Sequence, residues 1–209
     1  SALDWPGWAR SGRDELEALN TFLEYGPRYQ RAIYSSQLNF KPPVDSVSFE
    51  VTERLTGNAT TDFGAPGIAP SVDSSPMDTA TLERFKGILN ACWEVFAKTV
   101  GSANGKQLRK GPRGGGRSVS QIADHVIESH YNYLRMIYWR EPQEKTSDVS
   151  SMIEVLKHAD EQALAFAVSG EMPETGSRGG KLWKPRYFVR RAAWHILDHA
   201  WEIEDKLET

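Results

Sequence analysis

Five histidines, His125, His130, His158, His195 and His199, are the side chains in this sequence best suited to chemistry. Two of them stand four apart in Trp194-His195-Ile196-Leu197-Asp198-His199. On an α-helix that spacing aims both rings off one face, as two ligands of a single metal ion must be aimed. The shared face also carries Phe188, Ala192, Glu202 and Ile203 and is expected to look into a core, while Trp194, Leu197 and Trp201 make a separate apolar stripe. Imidazoles in a core-facing stripe need partners for their ring nitrogens, and either a cation or hydrogen-bonding neighbours can supply them. His125 is expected as the third ligand, because it shares a helix face with Ile122, Val126, Ser129, Tyr133 and Met136. With a rise of about 1.5 Å per residue, it lies at a depth within roughly 5 to 10 Å of the other two in parallel helices. His130 is turned away from that face, and it and His158 are expected at the surface or rim. Three neutral imidazoles with no carboxylate suit Zn²⁺ or Ni²⁺ and leave a coordination position open, which is the mark of a catalytic site.

Two basic stretches could serve such a centre. Residues 106 to 117 carry five cations and no acid, and residues 178 to 191 carry six and no acid. In an up-down bundle the loops holding them fall at the same end, which gathers Arg113, Arg117, Arg186 and Arg190 into a basic mouth for a small anionic ligand. Arginines where helices begin oppose the helix macrodipole, and a bound carboxylate or phosphate would offset that. The alternative is that these cations pair with acids or stay solvated. Glu202, one turn beyond His199, is either a carboxylate supporting that ring, a base, or a salt-bridge partner. No catalytic acid or base is assigned. Cys92, beside Trp93 in an apolar helical turn, reads as core.

The elements that must position these residues follow from periodicity and punctuation. Asp4-Trp5-Pro6-Gly7-Trp8 reads as two short strands about a turn. A helix capped near Ser11, with Leu16, Leu19 and Leu23 on one face, runs to Gly26-Pro27. The alternation of Val47, Phe49 and Val51 predicts a half-buried strand over 46–55. Residues 56–77, rich in Gly, Pro, Ser and Thr, read as a linker or surface-hugging loop. Helices are then expected over about 79–100, 118–140, 150–168 and 185–207, with capping boxes at Ser118/Gln121 and Ser151/Glu154 and with Pro185 in a first turn. The layout is mainly α: a small α/β segment at 1–55, a linker at 56–77 and an up-down four-helix bundle at 78–209.

The composition bounds the function. The chain has 209 residues with 25 Lys+Arg against 28 Asp+Glu, a net charge of −3 that argues against nonspecific nucleic-acid binding. No apolar run reaches the roughly 20 residues of a membrane span, and no secretory leader pattern is present at the start. One cysteine excludes an internal disulfide and fits a reducing, cytoplasmic setting. The sequence opens at Ser1 rather than Met, so an upstream piece is expected to lie outside it.

Residues 79–207, with His125 on the second helix and His195 to His199 on the fourth, resemble the DinB/YfiT-like family of four-helix bundles. The resemblance implies a divalent-metal site, a homodimer in many members, and transfer or isomerisation reactions that use a low-molecular-weight thiol. Residues 1–55, through Ala2-Leu3-Asp4-Trp5-Pro6-Gly7-Trp8 and Ser11-Gly12, are similar to the small HicB-like fold of toxin-antitoxin partners. Two functions are therefore expected in competition. One is a metal-dependent transferase or isomerase acting with a small anionic thiol or substrate. The other is a non-enzymatic regulatory protein with a structural metal and a partner-binding N-terminal module. An open coordination position facing solvent separates them.

Overall fold

Short polar side chains at helix starts decide where the regular structure begins. The computed structural model describes residues 1–111, 115–140 and 148–208. Among these residues the chain forms seven α-helices and no strand: α1 (Glu15–Glu24), α2 (Gly26–Ala32), α3 (Ala59–Asp62), α4 (Thr79–Ala103), α5 (Val119–Met136), α6 (Val149–Val168) and α7 (Pro185–Lys206). The protein is mainly helical. No helix among the described residues is long and apolar enough to cross a membrane.

Ser118 caps α5 as its sequence predicts, accepting from the Gln121 amide while Gln121 reaches back to the Ser118 amide. At α6 the cap is not Ser151. Asp148 takes the role, its Oδ2 accepting from both the amide and the hydroxyl of Ser151 at 2.8 Å, because an ionised carboxylate is the stronger acceptor. Helix α5 stops at Met136 rather than running to 140. The Trp139 amide donates to Leu134 O and the Tyr138 amide to Arg135 O, the paired bonds of a Schellman ending, with Tyr138 at φ 64° in the left-handed position that glycine usually fills. A tyrosine there gave no stop signal in the sequence.

The N-terminal region is helical and irregular rather than α/β. Around Pro6-Gly7 a tight turn is closed by Ala2 N to Trp8 O at 2.9 Å and Trp8 N to Trp5 O at 3.1 Å, with no ladder to either side. Gly7, at φ 94°, makes that turn without a Cβ penalty. Over 46–55 the expected strand is also absent. Residues 46–48 form one 3₁₀ turn capped by Asp45, and Val47 is 90% exposed instead of half-buried. Alternation alone gives a face, whereas a strand also needs a neighbour to pair with. In α1 the cap is Asp14, and Leu16 is 67% exposed, so the apolar stripe is narrower than expected.

Contacts divide the chain into two compact units, Ser1–Cys92 with Lys184–Trp194, and Trp93–Trp183 with His195–Thr209. The division cuts α4 and α7. In the first unit Trp8 stacks on Phe22 with centroids 4.0 Å apart and meets Tyr29 and Phe40. The buried Tyr29 hydroxyl donates to Pro6 O, and burial pushes its pKa well up. Segment 56–77 lies against the start of α7 here. Tyr187 donates to Gly67 O, Arg186 to the carbonyls of Ser75 and Pro76, and Arg190 to both oxygens of buried Asp73. Cys92 is buried, as expected of a core residue, and burial raises its thiol pKa. In the second unit α5 packs on α6, with Ile122, Val126 and Leu134 from one and Ile153, Leu156 and Leu164 from the other all buried.

Candidate metal centre

The three histidines singled out by spacing come together within the second unit. Four residues on α7 bring His195 and His199 to one face, and α5 presents His125 to them. One ring nitrogen from each can be chosen so that all three lie within 4.8 Å of one another. His195 Nε2 stands 3.2 Å from His125 Nε2. Two nitrogens bound tetrahedrally to one Zn²⁺ at about 2.0 to 2.1 Å would be about 3.3 Å apart, so this pair already has the span that a shared cation needs. The rings are edge to face, with centroids 4.6 to 5.1 Å apart, which lets three lone pairs converge without the rings colliding. These three residues could hold a metal ion.

The neighbours of His199 settle which of its nitrogens is available. Its Nδ1 lies 2.7 Å from Glu202 Oε2, a bond in which imidazole donates and carboxylate accepts, leaving Nε2 with its lone pair free for a ligand role. Arg117 donates to the same Oε2 at 2.7 Å, and Lys206 donates to Oε1 at 2.7 Å. The 3.5 Å approach of Arg117 to His199 Nδ1 follows from both donors sharing one oxygen. The hydrogen bond from His199, then that from Lys206 and the charge of Arg117, hold the Glu202 carboxyl down at about 2. Glu202 thus supports the ring, and Lys206 and Arg117 fix Glu202.

His125 is exposed where His195 and His199 are buried. Its partial burial, followed by the charges of His199 and Arg117, lowers its pKa and favours the neutral ring that a metal requires. Tyr133, two turns beyond His125 on α5, packs its ring against His195 at 5.5 Å and against Trp183 at 5.1 Å. Trp183 was not read from the sequence as part of the site.

Other expected residues are placed differently. His130 is 1% exposed, not at the rim, and its Nε2 lies 2.6 Å from Asp160 Oδ1. Trp93 Nε1 donates to Asp160 Oδ2 at 2.8 Å. The signal for this buried triad was present: Asp160 interrupts the apolar positions Ile153, Leu156, Ala163 and Leu164 of α6, and a carboxylate there requires donors from other helices. His158 is exposed, as expected, and meets Gln162. Of the four arginines expected at an anion-binding mouth, Arg113 lies outside the described residues. Arg190 is 2% exposed and committed to Asp73 and to the carbonyls of Ala2 and Leu3. It is an internal ion pair, because a guanidinium so far from water requires a carboxylate beside it. Arg186 is occupied by backbone carbonyls in the same unit. Arg117 is the one placed at the histidine cluster, through Glu202.

The chain matches no family model, no curated protein and no solved structure.

Proposed function

We propose that this protein is a divalent-metal-dependent enzyme, a transferase or isomerase acting with a small anionic thiol or substrate. In this reading His125, His195 and His199 hold Zn²⁺ or Ni²⁺, and α4 to α7 form the up-down bundle of a DinB-like protein. The observation that carries it is the asymmetry of the three-histidine cluster. Two ligands are buried and one is exposed, so a bound cation is reachable from solvent on the His125 side. A structural centre is closed by four protein ligands, and no fourth His, Cys, Asp or Glu joins this group among the described residues.

A cation there would supply Lewis acidity and would lower the pKa of a thiol or water brought to it. The chain does the positioning. Glu202 keeps the proton of His199 on Nδ1, Tyr133 braces the ring of His195, and the pKa of His125 keeps its ring neutral near neutral pH. Arg117 adds positive charge beside the site and is the group suited to steer an anion toward it.

The test is Co²⁺ or Zn²⁺ loading followed by titration with a small anionic thiol. One ion per chain is expected, lost in His195→Ala and His199→Ala, with a Co²⁺ spectrum that changes on adding the thiol. Absence of stoichiometric metal in the wild type sinks the reading. Metal that is bound but spectrally indifferent to thiol, azide and water exchange favours the regulatory alternative with a structural site.

A further inference from the structure

The stretch Phe49-Glu50-Val51-Thr52-Glu53-Arg54-Leu55 has the composition and alternation of a strand, yet it joins no ladder among the described residues. Residues 49–58 contain no helix, turn or bend and no left-handed residue, and both ends are extended, Phe49 at −90° and 134° and Asn58 at −144° and −177°. Among the described residues, no backbone amide or carbonyl from Glu50 to Gly57 takes part in a backbone hydrogen bond, and every one of these residues is exposed. One side is anchored. Phe49 packs against Trp8 and Phe22, and Phe49, Val51 and Leu55 line a groove of about 580 Å³ with Leu19 and Ile68. The edge is left open, and an open extended edge is a template for a second strand.

Its charge pattern is self-complementary. In an antiparallel pair centred on Thr52, Glu50 of each copy falls opposite Arg54 of the other, Phe49 falls opposite Leu55, and Thr52 meets Thr52. This register keeps the apolar side chains of both strands on one face. Centring on Glu53 would set Glu53 against itself, and centring on Val51 would pair no opposite charges. Opposite charges and Thr–Thr pairs directly across an antiparallel ladder are favourable, while like charges are not. Arg54 now makes a two-pronged ion pair with Glu15, at 2.7 and 2.8 Å. Both side chains are well exposed, so the pair is weak enough to be shared or exchanged. We infer that residues 49–55 form an antiparallel two-stranded ladder with the same segment of a second copy, making a homodimer through the N-terminal unit. The inference is independent of the metal-site reading.

Sedimentation velocity on the full chain, up to about 100 µM, tests it. The wild type should dimerise. Glu50→Arg and Arg54→Glu should each weaken the dimer by at least about tenfold, since each sets like charges opposite one another twice. The double exchange Glu50→Arg/Arg54→Glu should restore it, which no local folding defect would do. Glu15→Ala, which removes the intrachain partner of Arg54, should leave the dimer intact. Thr52→Cys should give a disulfide-linked dimer under mild oxidation, and Cys92 is too buried to compete. A monomeric wild type, single exchanges that dimerise like the wild type, or a double exchange that stays monomeric would each overturn the proposal.

Discussion

At His199 a carboxylate, not a metal, decides which nitrogen faces the cluster, and that gives the residue-scale chemistry its sharpest handle. Replacing Glu202 with Gln removes the charge that holds the Nδ1 proton, so affinity for Zn²⁺ should fall by about 10- to 100-fold, measured by chelator competition, without loss of fold. Because protons compete for the same lone pairs, affinity should also fall as pH drops below about 6.5, the ordinary imidazole value. His130 serves a different purpose. His130→Ala should leave metal content unchanged but cost about 3 kcal/mol in urea unfolding, since Asp160 would stay buried with only Trp93 donating to it. The cluster itself was legible because His195 and His199 share a helical face and His125 lies on an apolar face of another helix. The burial of His130 does not show in the face geometry of α5, and its signal lies on α6 instead, where Asp160 interrupts the apolar positions.

Individual elements were legible where the signal is local. Ser118 and Gln121 cap α5 within four residues of sequence, and Pro185 opens α7. The errors came where a long-range partner decides. The strand over 46–55 has its alternation but no ladder, and the basic stretch that runs into α7 has its arginines but spends Arg190 on Asp73, more than a hundred residues earlier. Arg190→Met should therefore behave as a core mutation rather than a ligand-binding one. It should cost about 3 to 5 kcal/mol by leaving Asp73 unpaired, and a second change, Asp73→Leu, should recover part of that loss. At the start of α6 the amide and hydroxyl bonds from Ser151 lower the pKa of Asp148. A carboxylate whose folded pKa is depressed contributes stability above its unfolded value near 3.9, and this contribution is lost as pH falls through the folded value. Asp148→Ala should lower Tm at neutral pH, and the difference between the thermal melts of the two proteins should shrink as the pH is taken below the ordinary carboxylate value near 3.9.

For the molecule as a whole, the continuity of α4 and α7 is what ties stability to the candidate site. Each helix contributes to both compact units, and the divisions fall at Cys92–Trp93 and Trp194–His195. Melting one unit alone would have to end both helices there, beside the fully buried Leu89, Cys92, Trp93, Ala193 and Ile196, where a free helix end would expose apolar surface and unpaired backbone groups together. A single cooperative transition is expected, with far-UV circular dichroism and tryptophan fluorescence coincident. The metal ligands all belong to the second unit, joining residue 125 to residues 195 and 199. A cation that binds only the folded chain should therefore raise the midpoint of the one shared transition, by about 2.7 kcal/mol of stability at a hundredfold excess over Kd. His195→Ala should abolish that shift and keep the single transition. Two resolved transitions, of which only one responds to Zn²⁺, would show that the continuous helices do not couple the units.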